Sequence, residues 1–213
     1  LRNDRFISPE ALRPGLKEMN SMFTSANGLN GRQIGELWDS IALTSLEKDV
    51  LASLQIIAPG AEGVSFVTDL RSRREIARLS TAERLPIVKI AGIADPLPLR
   101  SLGDGMQRML GIALALVNAR DGLLLIDEIE NGIHYSAQSD LWRFIFEVAS
   151  RLNVQVFATT HSWDCIEAFQ KVARQNKAEG LLVRLSSKHN DIAVTLFDEE
   201  ELGIATRERI EVR

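Results

Sequence analysis

Cysteine is almost missing from this chain. Cys165 is the only one in 213 residues, so no disulfide can close within it, and a reducing compartment fits. No run approaches the roughly 18 consecutive apolar residues of a membrane span, and no secretory signal pattern opens the chain. A cytoplasmic location with no membrane partner is therefore expected. Net charge is −4, from 25 Lys and Arg against 29 Asp and Glu. That excludes a general attraction to nucleic acid or anionic lipid and leaves only a local basic patch as a contact. There is no internal repeat and no low-complexity tract. Hydrophobic content of 45% and charged content of 25% are ordinary for a globular fold, and the length suits one large domain or one domain with an appendage. The chain opens at Leu1 on the charged run Arg2-Asn3-Asp4-Arg5 and reads as the downstream part of something longer.

What is present begins with helical patterning. Residues 8–23 carry Leu12, Leu16, Met19 and Phe23 near helical spacing, with Ser8 and Pro9 suited to a helix start. A loop by composition follows from Thr24 to Gly31. Two helices are expected over 32–57, one with Ile34, Leu37, Trp38 and Ile41 on its stripe, the other with Val50, Leu51, Leu54 and Ile57. Thr44 and Glu47 fit a capping box for the second. Strands are expected at 64–67 and 87–90, with the basic cluster Arg71, Arg73, Arg74 and Arg78 between them. A solvated face explains that cluster; phosphate-backbone contact is the sharper alternative.

From residue 99 the texture changes. Met106 to Ala119 is so apolar that a central, buried helix is expected. Strands at 123–127, 154–158 and 181–185 alternate with helices at 136–152 and 162–175, the pattern of right-handed crossovers and a parallel sheet. Lys188-His189-Asn190-Asp191 reads as a hairpin turn into Ile192 to Phe197, and a short acidic helix from Asp198 to about Arg207 closes the chain.

The stretch that organises the rest is Leu123-Leu124-Leu125-Ile126-Asp127-Glu128. Four aliphatic residues in a row read as a strand buried on both faces. The acids fall at its carboxyl end, where open α/β sheets bind ligands. There Asp127 suits a hard cation such as Mg²⁺, and Glu128 can orient or deprotonate a water. Thr159-Thr160-His161 ends the next expected strand, so if the two strands are neighbours, acid pair and imidazole share one edge. Gly103-Asp104-Gly105 opens the apolar helix. Its glycines allow a close backbone approach and its amides attract phosphate, although a tight turn explains it as well. Cys165, Trp142 and Trp163 are expected in packing, and His189 in an exposed turn.

Ser101 to Arg108, then Leu123 to His134, then Ala158 to Ser162, in that order, resemble the C-terminal half of an ABC-type ATP-binding domain. The group most similar is the AAA-family ATP-binding proteins akin to the overcoming-lysogenisation-defect ATPases, relatives of the chromosome-maintenance ATPases. The resemblance covers residues 97–170; the stretch 8–60 and the ending Glu211-Val212-Arg213 are similar less specifically. It implies an α/β, P-loop NTPase-like three-layer fold with a parallel sheet, divided into a helical segment over 1–62 and a C-terminal ATPase lobe over 63–213. It implies ATP and Mg²⁺ as cofactors, with ATP sandwiched in a homodimer. Asp127 matches the Walker B aspartate that holds Mg²⁺ through water, Glu128 the acid that polarises the attacking water, and His161 the switch histidine at the γ-phosphate. Glu130, Asn131 and His134 fall in the D-loop. Gly103, Gly105 and Gln107 match the signature motif facing the opposite subunit, and depart from the usual Leu-Ser-Gly-Gly-Gln.

No Gly-x-x-x-x-Gly-Lys-Ser/Thr occurs in the chain. That loop supplies the amide cradle and the lysine for the phosphates. The expectation is a Walker A lobe upstream of Leu1, which acts as a partner of this region. This chain alone is then expected to bind little ATP, to expose sheet edge and apolar surface, and to self-associate. The alternative is a non-hydrolysing regulatory or scaffold domain in a DNA-handling or phage-defence complex, with the Arg71 to Arg78 cluster on DNA.

Overall fold

The computed structural model describes residues 20–68, 84–175, 180–188 and 191–197, with Glu201, Gly203 and Ile204. The Arg71 to Arg78 cluster, His189, the ending at 211–213 and most of both terminal helices expected from the sequence lie outside the described residues.

The centre is helix α3 (Asp104–Asn118). Its residues from Arg108 to Val117 are all buried, as the unbroken apolar run requires. Around it stand β1 (Ser21–Thr24), α1 (Gly31–Asp39) and α2 (Leu46–Ile57), then β5 (Leu123–Ile126) and α4 (Tyr135–Leu152). Ile34, Val50, Leu54, Leu110, Leu114, Leu124 and Ile145 belong to one core, so residues from both halves of the chain share it. Asn30 starts α1 with a reciprocal capping box: its Oδ1 accepts from Gln33 N at 2.9 Å while Gln33 Oε1 accepts from Asn30 N at 3.0 Å. The Thr44–Glu47 pair expected to cap α2 works differently. Thr44 Oγ1 accepts from Leu46 N at 3.2 Å, and Glu47 Oε1 from Leu43 N at 2.7 Å.

The sheet that leads into Asp127 and Glu128 is parallel, in the order β1-β5-β6, with β6 at Gln155–Ala158. The fold is thus α/β with a parallel sheet and helices, as expected. Three expectations are corrected. Residues 21–23, placed in a helix by spacing, form β1 instead, because pairing with β5 outweighs a weak local pattern. Strand β7 (Leu182–Lys188) does not join the parallel sheet. It pairs antiparallel with β8 (Asp191–Phe197) and leans on α5 (Trp163–Ala173) through Ile166, Trp163, Phe169, Leu182 and Phe197. The run at 123–126 is not buried on both faces. Leu124 and Ile126 face α3 at 0% and 2% exposure, whereas Leu125 is 38% exposed.

Leu125 has company. Register aligns it with Phe23 on β1 and Phe157 on β6, which are 59% and 54% exposed, so an apolar row crosses the open face of the sheet. A third, antiparallel sheet joins β2 (Ala61–Thr68), β3 (Arg84–Ile90) and β4 (Leu97–Pro98). Phe66 packs on Trp38 of α1 there, ring centroids 5.2 Å apart. A 3₁₀ turn at Leu99–Leu102 then leads into α3.

Candidate functional site

Strands β5 and β6 are parallel neighbours, Ile126 opposite Ala158, so both carboxyl ends open on one edge. Asp127, Glu128 and His161 lie just past those ends. Pairing continues beyond the strands: Thr159 N donates to Ile126 O at 2.9 Å and Ile129 N to Thr159 O at 3.0 Å. Side chains complete the join. Thr159 Oγ1 donates to Asp127 Oδ1 at 2.7 Å and accepts from Glu128 N at 2.9 Å. Glu130 Oε1 accepts the backbone N–H of His161 at 3.0 Å.

Glu128 carries φ of +45°, the left-handed region, which costs an L-residue about 1–2 kcal/mol. Strain of this kind persists only where surrounding bonds hold it, and it clusters at functional positions. Here Thr159 holds the Glu128 amide and Arg108 holds its carbonyl. Arg108, a residue 6% exposed, extends its guanidinium from α3 to the turn. Nη2 donates to Asp127 O at 2.6 Å and Glu128 O at 2.9 Å, and Nη1 to Ser25 O at 2.5 Å. Burial lowers the Arg108 pKa from its ordinary value, against the opposing pull of the Asp127, Glu130 and Glu128 carboxylates.

The glycines of 103–105 each meet a need. Gly103 starts α3 at φ of +96°. A Cβ on Gly105 would stand 2.8 Å from Gly132 O, so only glycine lets α3 approach the turn after β5 this closely. Gln107 is exposed on the first turn of α3. Asn131 Nδ2 donates to Ala26 O at 2.9 Å, tying that turn to the loop after β1. His134 caps α4 through Nδ1 toward Ser136 and packs at a tilt against Tyr135, ring centroids 4.3 Å apart.

Among the described residues no group of three or more His, Cys, Asp or Glu could hold a metal ion. Asp127 fits Mg²⁺ in the manner of nucleotide sites, where one or two carboxylates serve and water and phosphate oxygens complete the shell. Thr159 occupies only its Oδ1. Among the described residues no helix is long and apolar enough to cross a membrane.

Sequence reasoning gave no role to Arg108 or Thr159, and did not foresee the Glu130 link or the contacts of the loop after β1. Arg108 had a signal: it is the only basic residue of α3 and stands directly before the apolar run 109–117. Thr159 had none, because a threonine ending a strand is common.

Residues 66–167 match the family model of an AAA domain of the AbiEii toxin, Type IV TA system kind. An ATP/GTP phosphatase of Helicobacter pylori is 34% identical over 91 residues, covering 41% of this chain and 25% of that protein. The chain therefore spans about a quarter of that relative's length. An uncharacterised protein of Methanocaldococcus jannaschii is 34% identical over 82 residues, covering 38% of this chain and 72% of that protein. Among solved structures, an SMC ATPase, from work on ATP-driven dimerization and DNA-stimulated activation of SMC ATPases, has a TM-score of 0.53 at 11% identity. It covers 84% of this chain and 99% of that one. The Smc head domain of Pyrococcus yayanosii has a TM-score of 0.51 at 13% identity, covering 78% of this chain and 29% of that one. At such identities the likeness to the SMC heads concerns the fold.

Proposed function

The chain belongs to the AAA-family, ABC-type ATPases, and from that premise we propose that it forms the signature, Walker B and switch-histidine part of an ATP-hydrolysing head. The observation that carries this reading is the shared edge of β5 and β6, where Asp127, Glu128 and His161 are joined through Thr159 and Glu130. Asp127 would hold Mg²⁺, which when bound would neutralise charge on the phosphates. Glu128 polarises the attacking water. His161 donates to the γ-phosphate. Gly103, Gly105 and Gln107 present the amide end of α3 to the nucleotide of a second copy, with Asn131 and His134 beside them. ATP is sandwiched between two copies in a cytoplasmic homodimer.

The phosphate cradle itself comes from a Walker A lobe outside these residues, since no Gly-x-x-x-x-Gly-Lys is among them. The open apolar row Phe23–Leu125–Phe157 supports this, as a sheet face of this kind is ordinarily covered. The full-length protein is expected to hydrolyse ATP, and Glu128→Gln to abolish turnover while prolonging the ATP-bound dimer. Unchanged hydrolysis in Glu128→Gln removes the role given to that residue.

The missing cradle motif also favours a second reading, a scaffold domain that keeps the fold without turnover. Calorimetry of the full-length protein with Mg-ATP, with phosphate release followed in parallel, separates the two: a scaffold of this kind releases no phosphate whether or not it binds the nucleotide.

A further inference from the structure

Two side chains hydrogen-bond to both members of the acid pair: Arg108 takes their backbone carbonyls, whereas Thr159 takes a carboxylate oxygen of one and the amide of the other. The same Oγ1 donates to the Asp127 carboxylate at 2.7 Å and accepts the Glu128 amide at 2.9 Å. The two bonds do different things. Donation to Oδ1 restricts the rotation of the carboxylate and leaves its second oxygen, Oδ2, untouched by Thr159. Acceptance from Glu128 N holds a residue whose φ of +45° an L-amino acid rarely adopts. A single hydroxyl thereby ties the aim of one acid to the backbone of the next.

We infer that Thr159 is a positioning residue for hydrolysis, its hydroxyl aiming Asp127 for the cation and holding Glu128 in its left-handed conformation. This rests on the ATPase reading above. Groups that orient a metal ligand in this way cost about 10–100-fold in metal affinity or activity when removed. Thr159 is exposed, so losing the hydroxyl strands no buried polar group, and its effect on turnover can be read apart from folding. Serine retains the hydroxyl and valine retains the shape, which makes the pair of substitutions diagnostic.

The test uses the full-length protein, with ATP turnover measured across a Mg²⁺ titration. Thr159→Val is expected to lower kcat about 10–100-fold and to raise the Mg²⁺ concentration for half-maximal rate, with KM for ATP and the thermal midpoint unchanged. Thr159→Ser is expected to retain most of the wild-type rate and Mg²⁺ response. Wild-type kcat and Mg²⁺ dependence in Thr159→Val, while Glu128→Gln is inactive, overturns this inference and leaves the ATPase reading standing. Equal impairment in the serine variant also overturns it, because the hydroxyl is then not what matters. If Thr159→Val fails to fold, the serine variant and Thr159→Ala decide by the same Mg²⁺ titration. Full turnover in Glu128→Gln removes the ATPase reading itself, whatever Thr159 does.

Discussion

The Arg108 guanidinium reaches from the central helix to the backbone carbonyl of Glu128, with Nη2 2.9 Å from that oxygen. The same nitrogen takes the Asp127 carbonyl and Nη1 takes Ser25, so one side chain pins the turn after β5 to the loop after β1. Any movement of α3 is thus transmitted to the acid pair through a rigid planar fork rather than a flexible tether.

Replacing Arg108 tests that link. Arg108→Leu leaves three carbonyls short of a donor, each worth about 1–3 kcal/mol where it stays buried, so a substantial loss of stability is expected in chemical denaturation. Arg108→Lys keeps the charge but cannot present two nitrogens in a fork. It is expected to fold with a smaller loss and to lower ATP turnover of the full-length protein. A lysine variant with wild-type turnover and stability would show that the fork is dispensable.

Cys165 yields a pH prediction. Burial pushes its thiol up to about 11, with hydrogen bonding to Thr160 and Trp142 pulling it partly back. The folded state therefore holds the proton more tightly than the unfolded chain, whose thiol titrates near 8.5. The stabilisation is full below that value and is lost as pH rises toward 11. Denaturation midpoints are expected to fall across that window in the wild type and less steeply in Cys165→Ala. Native Cys165 is also expected to react slowly with a thiol reagent at pH 8, since thiolate is the nucleophile. Rapid native-state labelling would contradict its burial.

The open row Phe23–Leu125–Phe157 makes a prediction for the 213-residue chain by itself. Exposed contiguous apolar surface beside strands left unpaired on one side among the described residues favours association. Sedimentation velocity is expected to show concentration-dependent self-association that Phe157→Ser weakens. The circular dichroism of the variant is expected to be unchanged, because Phe157 is 54% exposed and supports little of the core. A monomeric wild type at high concentration would refute this.

Much of the site was legible because strong local signals carried it. The aliphatic run closed by two acids read as a strand with its functional end forward, and β5 lies at 123–126 as that pattern requires. The apolar run after Gly105 read as a central helix, and α3 is one. The second histidine-bearing edge was legible only as a condition, namely that the two strands be neighbours, and their parallel pairing meets it.

The rest depended on which elements meet. A four-residue strand such as Ser21–Thr24 has too few residues to show a period, and exists because β5 offers it partners. Whether Leu125 is covered is a matter of what packs across the sheet, which no run of aliphatic residues can reveal.

Sequence alone determined α3, β5 and β6 and which residue types stand at their ends, because hydrophobic period and residue type are local properties. Tertiary structure decided the rest: that Thr159 bridges the two acids, that Glu130 holds the His161 backbone, and that Arg108 pins the strained Glu128. Those bonds join residues from three separate elements. Hydrogen bonds act only over about 3 Å, so nothing short of the folded chain could reveal them.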